Sequence, residues 1–189
     1  MSGTSAGSVE LGERLAGLVE GTVKRSYGDV TVDVPAARWV EAVTAARDEL
    51  GLTFFDWLSA VDELAGGFSV VCHLADPVGP AHLLVRTRVP AAEPALATVT
   101  GVFRGASWHE RETFEMFGID FVGHPALLPL LLPAGFEGRP LRKDFVLAAR
   151  AAKAWPGGKE PGEADGDAAP SRRRTQPPGV PDPAVWGPR

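Results

Sequence analysis

The sequence is nearly without cysteine, since Cys72 is its one thiol in 189 residues. A single thiol forms no internal disulfide. An iron–sulfur cluster takes about four cysteine ligands and a structural zinc site about four nitrogen or sulfur ligands, so neither is expected. No glycine-rich phosphate loop occurs, and no metal-ligand spacing links the four histidines, His73, His82, His109 and His124. We therefore expect the chain to bind no metal, cluster or flavin, and Cys72 to pack as a small hydrophobe.

Long apolar runs and an excess of basic charge are also missing. No stretch reaches the ~18–20 apolar residues of a membrane span. Residues 1–8 lack the order of charged, apolar and small residues that marks a secretory signal. The net charge of −5 and the pI of about 5.4 argue against nucleic acid as the main partner. We expect a cytoplasmic chain that associates with a membrane only through a partner.

What is present is the composition of a folded domain, 44% hydrophobic and 23% charged. Apolar residues at helical spacing predict an amphipathic helix over residues 9–25. A short alternating run over 29–34 predicts a strand. Pro35 suits the first turn of a second helix, which Gly51 should end.

Three runs with strand composition follow, at 53–62, 68–74 and 82–89. Because short links join them, they should form an antiparallel three-stranded meander. The predicted fold is therefore α+β, a small mixed sheet with helices on one face. Helical composition resumes near Glu93 and again after Ser107.

The chain divides into three parts by composition. Residues 1–117 are predicted to form the globular α+β domain, and residues 118–146 an extended, proline- and glycine-punctuated arm that binds a partner. Residues 147–189 form a tail rich in proline and glycine, which cannot bury enough apolar surface to fold alone. We expect this tail to be disordered in the free chain and dispensable for the fold. Its tryptophans, Trp155 and Trp186, are candidate anchors on a partner.

The stretch after Ser107 carries most of the functional information. Ser107 and Glu110 have the spacing of a capping box, with Ser107 as the N-cap. Arg111 and Glu115 have the spacing of an i, i+4 ion pair, and Gly118 should end the helix. A capped surface helix is thus the plain interpretation of the segment.

Sharper interpretations of the same residues lack support. His109-Glu110 has no second histidine at the spacing of a zinc-protease helix. The carboxylates of Glu110, Glu112 and Glu115 have no nucleophile or metal partner nearby in sequence. The run Arg142-Lys143-Asp144 suits either a small anion site or a solvated charge cluster.

The helix nevertheless belongs to a longer pattern. Its most specific part is the run Trp108-His109-Glu110-Arg111-Glu112-Thr113-Phe114-Glu115-Met116-Phe117-Gly118-Ile119. Further parts, in order along the chain, are Val70–Leu74, Leu84–Pro90, Gly123-His124-Pro125, Leu131-Leu132-Pro133, Phe136-Glu137-Gly138 and Pro140-Leu141-Arg142-Lys143-Asp144-Phe145. The pattern resembles the C-subunit family of NADH:quinone oxidoreductase (complex I), and the resemblance covers roughly residues 30–145.

The resemblance implies a non-catalytic scaffold subunit of the peripheral arm, on the cytoplasmic side of the cell membrane. In that family the NADH, FMN, iron–sulfur cluster and quinone sites belong to other subunits, and the chain lies against the large quinone-site subunit and neighbouring iron–sulfur subunits. The residues it implies for partner binding are Glu110, Arg111, Glu112, His124, Pro125, Arg142, Lys143 and Asp144. We expect the first three to contribute more to assembly than to folding.

Two other classes stay open at this point. A membrane-bound hydrogenase or a related dehydrogenase complex uses a similar subunit. An independent small enzyme is the third class, and it needs a convergent catalytic set that the sequence does not show. One departure from the family pattern also matters: where the family has an acidic residue and paired arginines, this chain has Ala126-Leu127-Leu128-Pro129-Leu130, as a divergent paralogue would.

Overall fold

The structure is a computed structural model that describes residues 3–145, and side chains from residue 7 onward. Its helices are α1 (Gly3–Val19), α2 (Trp39–Asp48) and α3 (Ala106–Phe117). Its strands are β1 (Thr22–Ser26), β2 (Asp29–Asp33), β3 (Phe54–Asp62), β4 (Phe68–Ala75), β5 (His82–Val89), β6 (Ala95–Ala97) and β7 (Asp120–Val122). Short 3-10 turns cover Ala36–Arg38 and Leu64–Gly66.

The three predicted central strands form part of a five-stranded sheet of order β1-β2-β5-β4-β3. Strands β3, β4 and β5 run antiparallel, which confirms the predicted meander. Strand β2 pairs with β5 in parallel, so the sheet is mixed. The register places Leu58 opposite Cys72 and Cys72 opposite Val85, and all three side chains are buried.

One face of the sheet carries the core, and the helices pack on that face. Alternate residues of β4 and β5 point into it, as period-2 alternation requires. Leu15 of α1 and Trp39 of α2 are fully buried against it. Cys72 lies in this core with no exposed surface, as predicted, and its burial raises the thiol pKa, with a further contribution from the Glu110 carboxylate. The α+β prediction is confirmed.

The first helix ends earlier than the sequence predicted. Its last residue is Val19, and residues 22–26 form β1, which pairs antiparallel with β2. The prediction of a helix over 9–25 was therefore wrong in its last third. Thr22 and Val23 are β-branched and favour a strand where a partner is present. Val23 stands opposite Val32 in that pairing.

The prediction of helix near Glu93 was also wrong. Residues 95–97 form β6, which pairs in parallel with β7. Pro94 precedes this strand and its carbonyl accepts the Asp120 N–H at 2.8 Å. The strand exists because β7, far along the chain, supplies its partner.

The contacts divide the chain into two compact units, Met1–Leu132 and Pro133–Arg189. Residues 118–132 thus belong with the first unit, whereas the sequence placed a boundary after residue 117; that the arm binds a partner stays a prediction. The tail over 147–189, with Trp155 and Trp186, lies outside the described residues. Within residues 3–145, no helix has the length and apolar character needed to cross a bilayer.

Candidate functional site

Helix α3 lies against β3 and ends at Gly118, whose φ of 80° is left-handed. The Gly118 N–H donates to the Phe114 carbonyl at 2.8 Å, which is the predicted C-terminal cap. Phe117 packs edge-on against Phe68 of β4, with ring centroids 6.2 Å apart. One side of α3 is therefore anchored in the core, and the other is left for contacts with the segment that follows.

The predicted capping box does not form. The helix begins at Ala106, Gly105 occupies the N-cap position, and no side chain caps the helix. Ser107 lies one residue inside the helix, and its Oγ faces His124 Nε2 at 3.2 Å. Glu110 turns its carboxylate inward instead of back to the first turn. The capping-box prediction was wrong because tertiary partners outcompeted the local ones.

Glu110 is wholly buried, with no exposed surface. One carboxylate oxygen accepts the Val99 N–H at 2.7 Å and the other accepts the Thr98 hydroxyl. Burial raises the pKa of this carboxyl, against the opposing effect of those two hydrogen bonds. Thr98 in turn donates its N–H to the Val122 carbonyl at 3.0 Å. Glu110 therefore joins α3 to the β6–β7 pair from inside the domain.

The side chains of Arg111 and Glu115 form hydrogen bonds to the backbone of residues 128–132. Arg111 donates to the carbonyls of Leu128 and Pro129, each at 2.8 Å. Glu115 is 2% exposed, and its two oxygens accept the N–H groups of Leu131 and Leu132, each at 2.8 Å. We call Arg111 and Glu115 the backbone clamp. Charge-assisted hydrogen bonds are the stronger kind, so the clamp fixes an otherwise irregular stretch.

His124 ties the start of this stretch to the first turn of α3. Its Nδ1 accepts the Ala126 N–H at 3.0 Å, so the proton of the neutral ring resides on Nε2. Nε2 lies 3.2 Å from the Ser107 carbonyl oxygen, to which it can donate. Pro125 is exposed beside it. The predicted histidine–proline pair thus begins the clamped segment.

The clamp leaves an apolar surface facing outward. Leu128 is 62% exposed and Leu131 59% exposed, although their backbone groups are bound. Trp108 of α3 is 64% exposed, and the Arg111 guanidinium lies 6.0 Å from its ring centre. We call Trp108, Leu128 and Leu131 the outer apolar surface. Glu112 is half-buried, and the described residues supply it with no hydrogen bond or ion pair.

The last predicted residues lie in the second unit. Arg142 Nε and Asp144 Oδ1 are 3.3 Å apart, and Lys143 is exposed. The rings of Phe136 and Phe145 stack with centroids 6.1 Å apart. The structure thus groups Glu110, Arg111, Glu112, His124 and Pro125 in the first unit and the charged run in the second.

Sequence reasoning missed the bonds of Glu115 to the Leu131 and Leu132 backbone and of Thr98 to Glu110. Arg111 and Glu115 share one side of the helix, which their spacing did indicate, but their bonding to a distant backbone leaves no local signal. Within residues 3–145, no group of three or more histidine, cysteine or acidic side chains is placed to hold a metal ion. What α3 builds is a rigid apolar surface with charged groups beneath it.

Two solved structures share this fold. The trypsin-resistant fragment (1-134) of Nqo5 is similar with a TM-score of 0.56 and 29% identity, covering 64% of this chain and 99% of that one. A chain of the membrane-bound sulfane sulfur reductase, an archaeal respiratory membrane complex, has a TM-score of 0.61 over 75% of this chain and 86% of its own. At 24% identity the second likeness shows the fold alone. The fold thus defines the class, a small α+β protein with the architecture of these two chains.

Sequence comparison narrows the class to a family. Residues 32–151 match the family described as the respiratory-chain NADH dehydrogenase, 30 Kd subunit. The C subunit of the NADH-quinone oxidoreductase of Mesorhizobium japonicum is 40% identical over 148 residues, 74% of this chain and 71% of that protein. The C subunit of the same enzyme from a Roseiflexus species is 41% identical over 126 residues, 65% of this chain and 72% of that protein. The chain belongs to the 30 kDa subunit family of the respiratory-chain NADH dehydrogenase.

Proposed function

We propose that the chain is a non-catalytic scaffold subunit in the peripheral arm of a proton-translocating NADH:quinone oxidoreductase. Electrons pass from NADH through FMN and iron–sulfur clusters to quinone, all in other subunits, while this chain holds those subunits in place. Family membership supports the proposal. The chemistry of the chain agrees with it, since the one cysteine is buried and a cluster needs about four thiolates.

The outer apolar surface is the observation that carries the proposal. Trp108, Leu128 and Leu131 are each more than half exposed. Large exposed apolar side chains grouped on a rigid support mark binding sites for other proteins. The clamp fixes this surface before any partner arrives, so little ordering entropy is lost on binding. The partner proposed is the large quinone-site subunit, with neighbouring iron–sulfur subunits, on the cytoplasmic side of the membrane.

The predicted contact residues take different roles in this proposal. Arg111 and Glu110 position the surface from beneath, through the clamp and through the β6–β7 pair. Glu112, half-buried at the side of α3, is available to bind a partner group directly, as is the exposed Pro125. The run of Arg142, Lys143 and Asp144, in the second unit, is a separate candidate for partner binding.

Replacing the apolar surface with charge tests the proposal. Leu128→Asp with Leu131→Asp leaves the backbone groups in the clamp but places two carboxylates where an apolar contact is expected. The assembled fraction, measured by co-purification of the other subunits from the native membrane, should fall by about tenfold or more, since desolvated charges at interfaces cost about 2–5 kcal/mol. The free energy of unfolding of the isolated variant should differ from that of the unchanged chain by less than about 0.5 kcal/mol, as is usual for substitutions at exposed positions.

Val78→Asp is the matched control, because Val78 is 96% exposed in the turn between β4 and β5. It should leave assembly unchanged. Full assembly of the double variant would show that the outer apolar surface touches no other subunit, and the proposal would lose its support.

A second candidate is the equivalent subunit of a membrane-bound hydrogenase or related complex. The shared fold with the sulfane sulfur reductase chain favours it only at the level of architecture. Identifying the subunits that co-purify separates the two candidates. An NADH-oxidising flavin subunit among them supports the first, and a hydrogenase or sulfur-reducing catalytic subunit supports the second.

A further inference from the structure

The two edges of the five-stranded sheet differ in how they are protected. Strand β1 has five residues and carries Lys24 and Arg25, which pair with Asp33 at 2.7 Å and Glu13 at 3.0 Å. Short length and basic side chains are the usual devices that stop an edge from pairing with another chain. Strand β3 has nine residues and contains no lysine, arginine or proline. The β3 edge therefore lacks those safeguards.

Exposed apolar side chains gather along the same strand. Phe54 is 51% exposed, Trp57 36% and Val61 48%, and Leu64 just beyond the strand is 61% exposed. Trp57 is also held in place: its ring stacks on His73 at 5.7 Å, and His73 Nδ1 lies 2.8 Å from Asp56 Oδ2. A fixed tryptophan that is about one-third exposed on an open sheet face is typical of a binding site.

The backbone of β3 is suited to accept a strand. From Trp57 to Asp62 the pairing with β4 is regular, and the irregularity lies before it, between Phe55 and Trp57. Strand β3 is last in the sheet order, so within residues 3–145 no strand pairs with its outer side. About six residues thus offer alternate N–H and C=O groups to an incoming chain, which is the requirement for β-strand addition.

The β3 edge is continuous with the proposed subunit interface. The Phe55 ring meets the His109 ring of α3 with centroids 5.4 Å apart, and Trp108 of the outer apolar surface precedes His109. From this continuity we propose that β3 receives an extended strand from the same partner subunit that binds α3, as a sixth strand of the sheet. The incoming strand carries apolar side chains against Trp57 and Val61 and a basic one near Asp56. The inference rests on the proposed function.

Pairing with a second copy of this chain is the alternative occupant of the β3 edge. Continuity of the edge with the proposed subunit interface favours a strand from the partner subunit, and cross-linking distinguishes the two.

Site-directed cross-linking in the purified complex tests the inference. Cys72 has no exposed surface, so Ser59→Cys introduces the one reactive thiol of residues 3–145, at an exposed position of β3. After reaction with benzophenone-maleimide and irradiation, mass spectrometry should find the attached peptide in one other subunit, with alternating apolar residues and a lysine or arginine. Ser26→Cys, exposed on β1, is the matched control and should give at least about tenfold less product.

Amide exchange supplies a second readout: residues 57–62 should exchange more slowly in the complex than in the free chain, while residues 22–26 should not change. Cross-linking to a second copy of this chain, or to no subunit in a fully assembled complex, overturns the inference while leaving the proposed function standing. A chain that co-purifies with no partner subunit at all overturns both.

Discussion

The central sheet and the segment after α3 are ordered by different kinds of bond. In the sheet, backbone groups of β3, β4 and β5 satisfy one another over many residues. Between His124 and Leu132, by contrast, backbone groups are bound by the side chains of His124 and of α3. A ladder spreads its stability over the whole sheet, whereas the clamp concentrates it in two charged residues. The proposed contact surface of the protein thus depends on far fewer groups than its core does.

The largest loss of stability is expected when a side chain of the core is truncated. Leu74 is fully buried in β4, so Leu74→Ala should lower the free energy of unfolding by about 2–5 kcal/mol. Because the sheet unfolds as a unit, exchange should accelerate throughout it. Chemical denaturation measures the loss, and Leu64→Ala, at a 61% exposed position, is the control. A loss below about 1 kcal/mol would mean that the core repacks around the cavity.

Removing one half of the clamp should have a smaller and local effect. Hydrogen bonds to charged groups contribute about 1.5–3 kcal/mol each, so Glu115→Ala should speed exchange at Leu131 and Leu132 by about 10- to 100-fold. Exchange in β4 and β5 should accelerate much less. Glu112→Ala is the matched control on the same helix. If β4 and β5 lose protection equally, the segment is part of the cooperative core and the contrast between the two regions disappears.

Glu110 of α3 and Asp33 of the sheet should respond to pH with opposite sign. Burial raises the pKa of Glu110 above its ordinary 4.5, so the folded state binds more protons than the unfolded state in this range. The contribution of Glu110 is therefore fully present below the ordinary pKa and is lost as pH rises through the raised pKa. Glu110→Gln removes the titration, so the free energy of unfolding should fall less steeply as pH rises above 4.5.

Asp33, in the sheet, is the control for that measurement. Burial acts to raise its pKa, but hydrogen bonds from Arg86 and Lys24 outweigh burial and leave the pKa below the ordinary 3.8. Its contribution is present above that value and is lost as pH falls, so Asp33→Asn should flatten the acid side of the curve. If the free energies of unfolding of Glu110→Gln and of the unchanged protein change with pH in parallel, then Glu110 is not the group whose titration lowers the stability.

The smallest effect is expected at Ser107. Ser107→Ala removes the hydroxyl contact to His124, but the Ser107 carbonyl remains in reach of Nε2 at 3.2 Å. A neutral hydrogen bond contributes about 0.5–1.5 kcal/mol, and the loss should lie at the low end of that range. Exchange at Ala126 reports it. If Ser107→Ala speeds exchange at Ala126 as much as Glu115→Ala speeds exchange at Leu131 and Leu132, then His124, and not the clamp, holds the segment in place.

The sequence was informative wherever a pattern is local. Alternation predicted β4 and β5, and Gly118 marked the end of α3. Strand β6 was missed because it exists through pairing with the distant β7, and three residues hold little signal of their own. Strand β1 was missed although its partner β2 follows directly after Tyr27 and Gly28, because the predicted helix was extended across it. Glu110 was assigned to a cap because its true partners, Thr98 and Val99, come from another loop.

The clamp separates the support of this segment from its surface. Arg111 and Glu115 bind carbonyl and N–H groups, not side chains. The exposed side chains of Leu128 and Leu131 take no part in those bonds, so substitution there alters the surface without altering its support. Recognition and scaffold are specified by different atoms of the same residues.

Gly67, in the turn between β3 and β4, shows that the residue tolerated in a turn can be decided by a strand outside it. Its φ is 82°, and a Cβ there would lie 2.3 Å from the Val89 carbonyl oxygen, where β5 leaves the sheet. That clash comes from the third strand and not from the hairpin of β3 and β4. In the register that places Val89 opposite Phe68, position 67 therefore accepts only a residue without a Cβ.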